Sequence, residues 1–275
     1  MTQLDSSAIS QIQSLTLAAS YFDNVKLTDC PVSVLPKDVE VASLERFHEN
    51  RFRFRGALNT TSIEDFVKYS TGFAAPGVRC FIDADSMQAV SIFNIGTLDS
   101  PGHADNTASI GLKKTAPFLG LLHINGERNS QKELAEWLED NRDFLTAFDA
   151  DGNVLEIKQA VSAVRRITIE AISSSDHEES DTGAKRSLME SVEAKSKDVM
   201  PAAFEFKCVP YEGLKERPFK LRYSVIASDR PILVLRIVQL EAEEEKIAAE
   251  FRDLLVEKFN SVEVECFIGK FKACF

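Results

Sequence analysis

The stretch PILVLRIVQL, Pro231–Leu240, decides how this chain is read. Only Arg236 and Gln239 interrupt its apolar run. It is far shorter than the roughly 18 apolar residues that a membrane span needs. Such a short, branched, nearly continuous run predicts a strand buried on both faces, and so one at a central position in a sheet. The segments around it change period in an ordered way. Upstream, Phe219–Ala227 alternates through Leu221, Tyr223 and Val225, and Ala203–Val209 alternates through Phe204, Phe206 and Cys208. A period of two belongs to half-buried strands. Downstream, Glu241–Phe259 places Ile247, Phe251, Leu254, Leu255 and Phe259 on one helical face, with acids in the first turns where the helix dipole favours them. Val262–Ile268 is a last strand. This β-β-β-α-β order predicts a mostly antiparallel C-terminal sheet covered by one helix.

The N-terminal two-thirds mixes both periods. A helix is expected over about Ser7–Ser20. The run RFRFRG, Arg51–Gly56, alternates strictly, which predicts a strand with Phe52 and Phe54 inward and Arg51, Arg53 and Arg55 on a wet basic face. Ser62 caps a short helix from Ile63. Arg79–Asp83, Gln88–Ile95 and Thr107–Thr115 read as strands, and Thr97–Asn106 as a loop. Ser130-Gln-Lys-Glu133 is a capping box. The helix behind it is expected to carry Leu134, Trp137, Leu138, Asn141, Leu145 and Phe148 on one stripe. Asp149-Ala-Asp-Gly152 then turns the chain, and Asn153 opens a second long helix over about Val154–Ile172, antiparallel to the first.

The expected class is α+β. Residues 1–172 form a strand-rich region with a long helical pair. Residues 173–186, SSSDHEESDTGAKR, form an acidic linker or exposed loop, followed by a short charged helix at about Ser187–Lys197. Residues 187–275 form the C-terminal sheet region.

Composition limits the function. The chain has 275 residues, a 44% hydrophobic fraction and a net charge of −11. That balance opposes broad polyanion binding, which requires a basic face to displace counterions. A local contact by Arg51, Arg53 and Arg55 with phosphate or an acidic partner stays open. Five cysteines, Cys30, Cys80, Cys208, Cys266 and Cys274, are widely spaced without a CxxC. They read as reduced thiols rather than a disulfide or zinc framework. No signal peptide or membrane span is read, so a cytoplasmic protein is expected.

Catalytic motifs are sparse. There is no Walker loop, GxGxxG or GxSxG, and no motif requires a cofactor. His103-Ala-Asp105 would put two metal ligands on one side of a strand, and Asp83 with Asp85 could add carboxylates, but Pro101-Gly102 reads as a turn, and loop polarity and turn capping account for these residues better. Asp149–Asn153 begins like a calcium loop. Its glycine stands at the fourth position, and Ala160 occupies the place of the closing glutamate, so a plain turn accounts for it better. The acidic run Asp176–Asp181 resembles a phosphate mimic, yet a solvated loop is the simpler reading.

The segments SQKELAEWLEDNRDFL (Ser130–Leu145), LEIKQAVSAVRRITIEA (Leu155–Ala171) and FKLRYSVI (Phe219–Ile226) resemble the phage and prophage family of unknown function typified by the Escherichia coli protein YfdQ. The resemblance covers essentially the whole chain. It implies a temperate-phage or prophage origin and a bacterial cytoplasm, and it supplies no catalytic residue. Three functions are compatible with these readings. The first is a non-catalytic protein that assembles with itself into a ring or shell. The second is an accessory to phage recombination or replication that binds single-stranded DNA or a host DNA enzyme through Arg51, Arg53 and Arg55. The third is a metal-dependent hydrolase, which requires His103, Asp105 and a further carboxylate to converge.

Overall fold

The computed structural model describes residues 5–24, 49–51, 53–167, 199–226 and 231–272. The chain divides into two units, Met1–Phe54 and Arg55–Phe275. In the first unit, helix α1 runs over Ser6–Asn24. Asp5 lies just ahead of it and accepts hydrogen bonds from the Ser6 and Ser7 hydroxyls. Ile9, Ile12 and Leu15 of α1 are exposed.

The second unit is α+β and carries two five-stranded sheets. Ten strands are described in it: β1 (Gly56–Thr60), β2 (Arg79–Asp83), β3 (Gln88–Ile92), β4 (Asn106–Gly111), β5 (Leu145–Phe148), β6 (Val154–Leu155), β7 (Ala203–Cys208), β8 (Arg217–Ile226), β9 (Ile232–Ile237) and β10 (Glu265–Ile268). The first sheet has the order β1-β4-β3-β2-β10, and the second β6-β5-β7-β8-β9. The second is antiparallel throughout. In the first, β1 runs parallel to β4 and β10 parallel to β2, around an antiparallel centre. The helices are α2 (Ile63–Gly72), α3 (Ala116–Ile124), α4 (Gln131–Asp140), α5 (Ile157–Arg165) and α6 (Leu240–Phe259).

Local chemistry places several of these elements. The Ser62 hydroxyl accepts from the Asp65 amide to start α2. At α4 both halves of the capping box are made: Ser130 Oγ accepts from the Glu133 amide, and the Glu133 carboxylate accepts from the Ser130 amide at 2.8 Å. The Ser130 amide holds the exposed Glu133 carboxyl below its usual range. α6 buries Ile247, Phe251, Leu255 and Phe259. Phe259 meets Phe66 of α2 edge to face at 6.0 Å. An ion cluster ties the same helix to the second sheet. The Arg217 guanidinium at the start of β8 bonds Glu250, whose carboxylate also accepts the Lys215 amide at 2.8 Å, and Glu243 lies 3.9 Å from Arg217.

Several expected boundaries are corrected. Arg51, Arg53, Phe54 and Arg55 lie outside any strand, and β1 begins only at Gly56, opposite the start of its parallel partner β4 at Asn106; among the described residues no ladder continues back along RFRFRG. Phe54 is 57% exposed rather than inward, and Phe52 lies outside the described residues. The helix after Ser130 stops at Asp140, and Leu145–Phe148 becomes β5, with Leu145 and Ala147 buried in alternation against β7. Asn153 does not cap a helix. Its amide donates to Asp149 Oδ1 at 2.7 Å, closing the hairpin between β5 and β6, and α5 starts later at Ile157. The helical pair α4–α5 does pack together, but both helices are short; Gln131 Nε2 donates to the Val164 and Ile167 carbonyls to join them.

Strands from either side of residues 173–186 share the second sheet, since β5 pairs with β7. The linker and the expected helix at 187–197 lie outside the described residues. The last strand, β10, leaves the C-terminal sheet for the first one. β9 ends its sheet rather than standing at its centre. Its apolar run is nonetheless buried on both faces, and a connecting segment closes its outer edge. The Gly126 amide donates to the Leu235 carbonyl, Asn129 and Leu233 exchange both backbone bonds at 2.9 Å, and the Asn125 side chain accepts from the Ile237 amide. The edge is thus satisfied without a further strand.

Candidate interaction edge

β10 is four residues long and ends the first sheet. Period two in β2 turns Cys80 and Ile82 into the core and leaves Arg79, Phe81 and Asp83 on the opposite, half-exposed face. Phe267 of β10 is the register partner of Phe81, so the two rings stack at 5.4 Å. Phe271 also stacks on Phe81, at 4.6 Å. The Arg79 guanidinium sits 5.9 Å from the centre of the Phe267 ring and 3.5 Å from Glu265. Lys270 pairs with Asp83 at 3.1 Å. Phe267 is 38% exposed and Ile268 61%. The edge therefore combines a short aromatic stack, an exposed isoleucine, two acids and two bases.

A second feature is a groove of about 530 Å³ between α4 and α5. Arg142, Lys158 and Arg165 line it together with Glu139 and Val161. Arg165 is already paired with Glu139 at 2.8 Å.

The residues singled out from sequence do not gather. Arg51 and Arg53 belong to the first unit, while Arg55 opens the second. None lies in a strand, so the alternation that would array them on one face is absent. His103 and Asp105 are not on one side of a strand either. Ala104 between them has φ +51°, and the chain there packs so closely that a Cβ at Gly102 would meet the Asn94 carbonyl oxygen at 2.0 Å. Asp105 instead accepts from the Asn94 side-chain amide at 2.8 Å, and Asn94 Oδ1 accepts from the Asn106 amide. Among the described residues no three His, Cys, Asp or Glu side chains gather as a metal ion requires, so the convergence of His103, Asp105 and a third carboxylate is not found. No helix among those residues is long and apolar enough to cross a membrane.

The edge was hidden in the sequence. Phe81, Phe267 and Phe271 stand in two segments far apart in the chain, and only the alternation in Arg79–Asp83 hinted at an outward aromatic.

Among the described residues the second unit is an α+β fold of two five-stranded sheets, one of them bordered by the mixed-charge strand β10. Residues 5–271 match the family described as an uncharacterized conserved protein, DUF2303, and the chain belongs to that family. No match was found among curated proteins or among solved structures.

Proposed function

We propose that this protein is a non-catalytic, self-assembling component, and that the β10 edge is the surface through which two copies meet. The observation that carries this reading is the exposed edge itself, with Phe267 and Ile268 outermost. An unpaired, partly apolar strand edge invites another chain to add to the sheet. Charge decides which chain. A second copy carries the same −11, so two copies repel unless they meet at a locally neutral surface. At this edge Arg79 offsets Glu265 and Lys270 offsets Asp83. A patch bearing both signs is also what an isologous two-fold contact uses, since each copy presents acids to bases and bases to acids. A polyanion gains little from such a patch.

The resemblance noted in the sequence adds the setting: a temperate phage or prophage, acting in the bacterial cytoplasm. The reading as an accessory that binds single-stranded DNA or a host DNA enzyme through Arg51, Arg53 and Arg55 is weaker, because nothing described arrays those arginines together.

Light scattering tests assembly. Untagged protein is expected at a discrete multiple of 30.6 kDa. Ile268→Lys, a charge on an exposed edge position, should drop it to a lower multiple. A wild-type monomer, or an assembly indifferent to both Ile268→Lys and Phe267→Glu, would overturn the reading.

A further inference from the structure

The inner face of the first sheet holds a row of small polar and thiol side chains that the proposed assembly does not use. Cys266 of β10 is the direct register partner of Cys80 of β2, and Cys80 in turn faces Ser91 of β3. The Ser70 hydroxyl of α2 donates to Ser91 from above at 3.0 Å, with both serines fully buried. The row therefore reads Cys266, Cys80, Ser91, capped by Ser70. Its two ends differ. Cys80 is completely buried, and Cys266 at the edge is half-exposed.

We propose that Cys80 and Cys266 are a disulfide-forming pair, closed by a hydroperoxide, that fastens β10 covalently to the sheet. Three features carry this. Neighbouring strands lie about 4.7–4.9 Å apart. Direct register partners therefore fall inside the Cα separation of roughly 4.4–6.8 Å that a disulfide accepts. Their nearness as register partners holds the Cys266 thiol below its usual range and, with burial, pushes the Cys80 thiol up. The edge position of β10 lets its backbone adjust to the S–S bond without moving a strand beyond it. The other described cysteine, Cys208, is buried in the second sheet.

The chemistry has an order. The Cys266 thiolate attacks the peroxide O–O bond, forming an S–O bond and releasing hydroxide or alkoxide. This leaves Cys266 as a sulfenic acid. The Cys80 sulfur then attacks the Cys266 sulfur, the S–S bond forms, and the S–O bond breaks. Oxygen leaves as water, taking the Cys80 proton. Two thiols lose two electrons and two protons, and hydrogen peroxide becomes two waters. The half-exposed thiol meets the oxidant and the buried one resolves it, which is the arrangement of a peroxide-sensing pair.

The test is a peptide map of the full-length protein after brief treatment with hydrogen peroxide, without reduction. The expected product is a peptide joining the segments of Cys80 and Cys266, lighter than the two thiol peptides by about 2 Da. Five thiols should titrate before treatment in the denatured protein and three afterwards. Cys266→Ser should slow the loss of the Cys80 thiol by about tenfold or more, because its partner is the point of entry. Two results would overturn the proposal: Cys266 oxidised to sulfinic acid while Cys80 stays a thiol, or Cys266 joined to any other cysteine. The readout is covalent, so it stands or falls separately from the oligomeric state.

Discussion

Replacing Glu250 by alanine should cost the protein about 3 kcal/mol of stability. Glu250 is the hub of the cluster between α6 and the second sheet. Its carboxylate bonds the Arg217 guanidinium and accepts the Lys215 amide. The side chains of Arg217 and Glu250 are only 15% and 16% exposed. Removing one partner of a buried ion pair typically costs about 3–5 kcal/mol, because the other charge is left without compensation. Here the residual exposure admits some water, and Glu243 remains 3.9 Å from Arg217, so the lower end applies. Among the described residues Nε of Arg217 has no hydrogen-bond partner, so the guanidinium has little in reserve. Glu250→Gln keeps an acceptor for the Lys215 amide and should recover about 1 kcal/mol. Replacing both partners by hydrophobic residues, Arg217→Met with Glu250→Leu, should fall well short of the sum of the single losses. Urea unfolding of the wild type, Glu250→Ala, Glu250→Gln, the single variants Arg217→Met and Glu250→Leu and their double measures each term, with unchanged slopes expected. A coupling energy below about 0.5 kcal/mol would refute the argument, since the two groups would then be behaving as an ordinary surface pair.

Two further outcomes follow from the same physics. Tyr223 is 4% exposed, stands edge-on to Phe204, and its hydroxyl has no hydrogen-bond partner among the described residues; Tyr223→Phe should therefore stabilise by about 1 kcal/mol, and a lower urea midpoint would mean the hydroxyl is satisfied after all. Glu133 has its carboxyl held below the usual 4.5 by the Ser130 amide, so the box contributes above that value and its contribution fades as pH falls through the lower folded value. The stability gap between wild type and Glu133→Ala should be flat above about pH 5 and close in more acid solution; a gap that persists to about pH 2 would place the effect elsewhere.

What the sequence made legible was local. The capping box at Ser130 depends on residues three apart, and it forms as written. The alternation in β7 and β8 and the stripe in α6 are long enough for one period to win. Leu145–Phe148 fits two periods at once: Leu145 extends the helical stripe from Asn141, yet Leu145 and Ala147 also alternate. The tie is broken by pairing with β7, which lies beyond residue 198 and sends no signal into the local pattern. α3, APFLGLLHI, went unread because it is apolar nearly all round and shows no face. RFRFRG erred the other way, with a clear period and, among the described residues, no partner strand. β9 reads as central because burial, which composition reports, differs from position in the ladder, which it does not. The β10 edge and the Cys80–Cys266 pair depend on a contact between the two ends of the second unit, so neither was visible residue by residue.

That contact also sets a schedule for synthesis. Glu265 pairs with Arg79, so the chain makes β2 long before its neighbour. Until β10 leaves the ribosome, β2 is itself an open edge, with Phe81 and Cys80 beside the gap. Pairings this distant in sequence close slowly and late. A nascent chain, or one cut short before Val264, carries the first sheet with its border strand missing, and β10 determines whether that border is sealed from within or left for another chain to occupy.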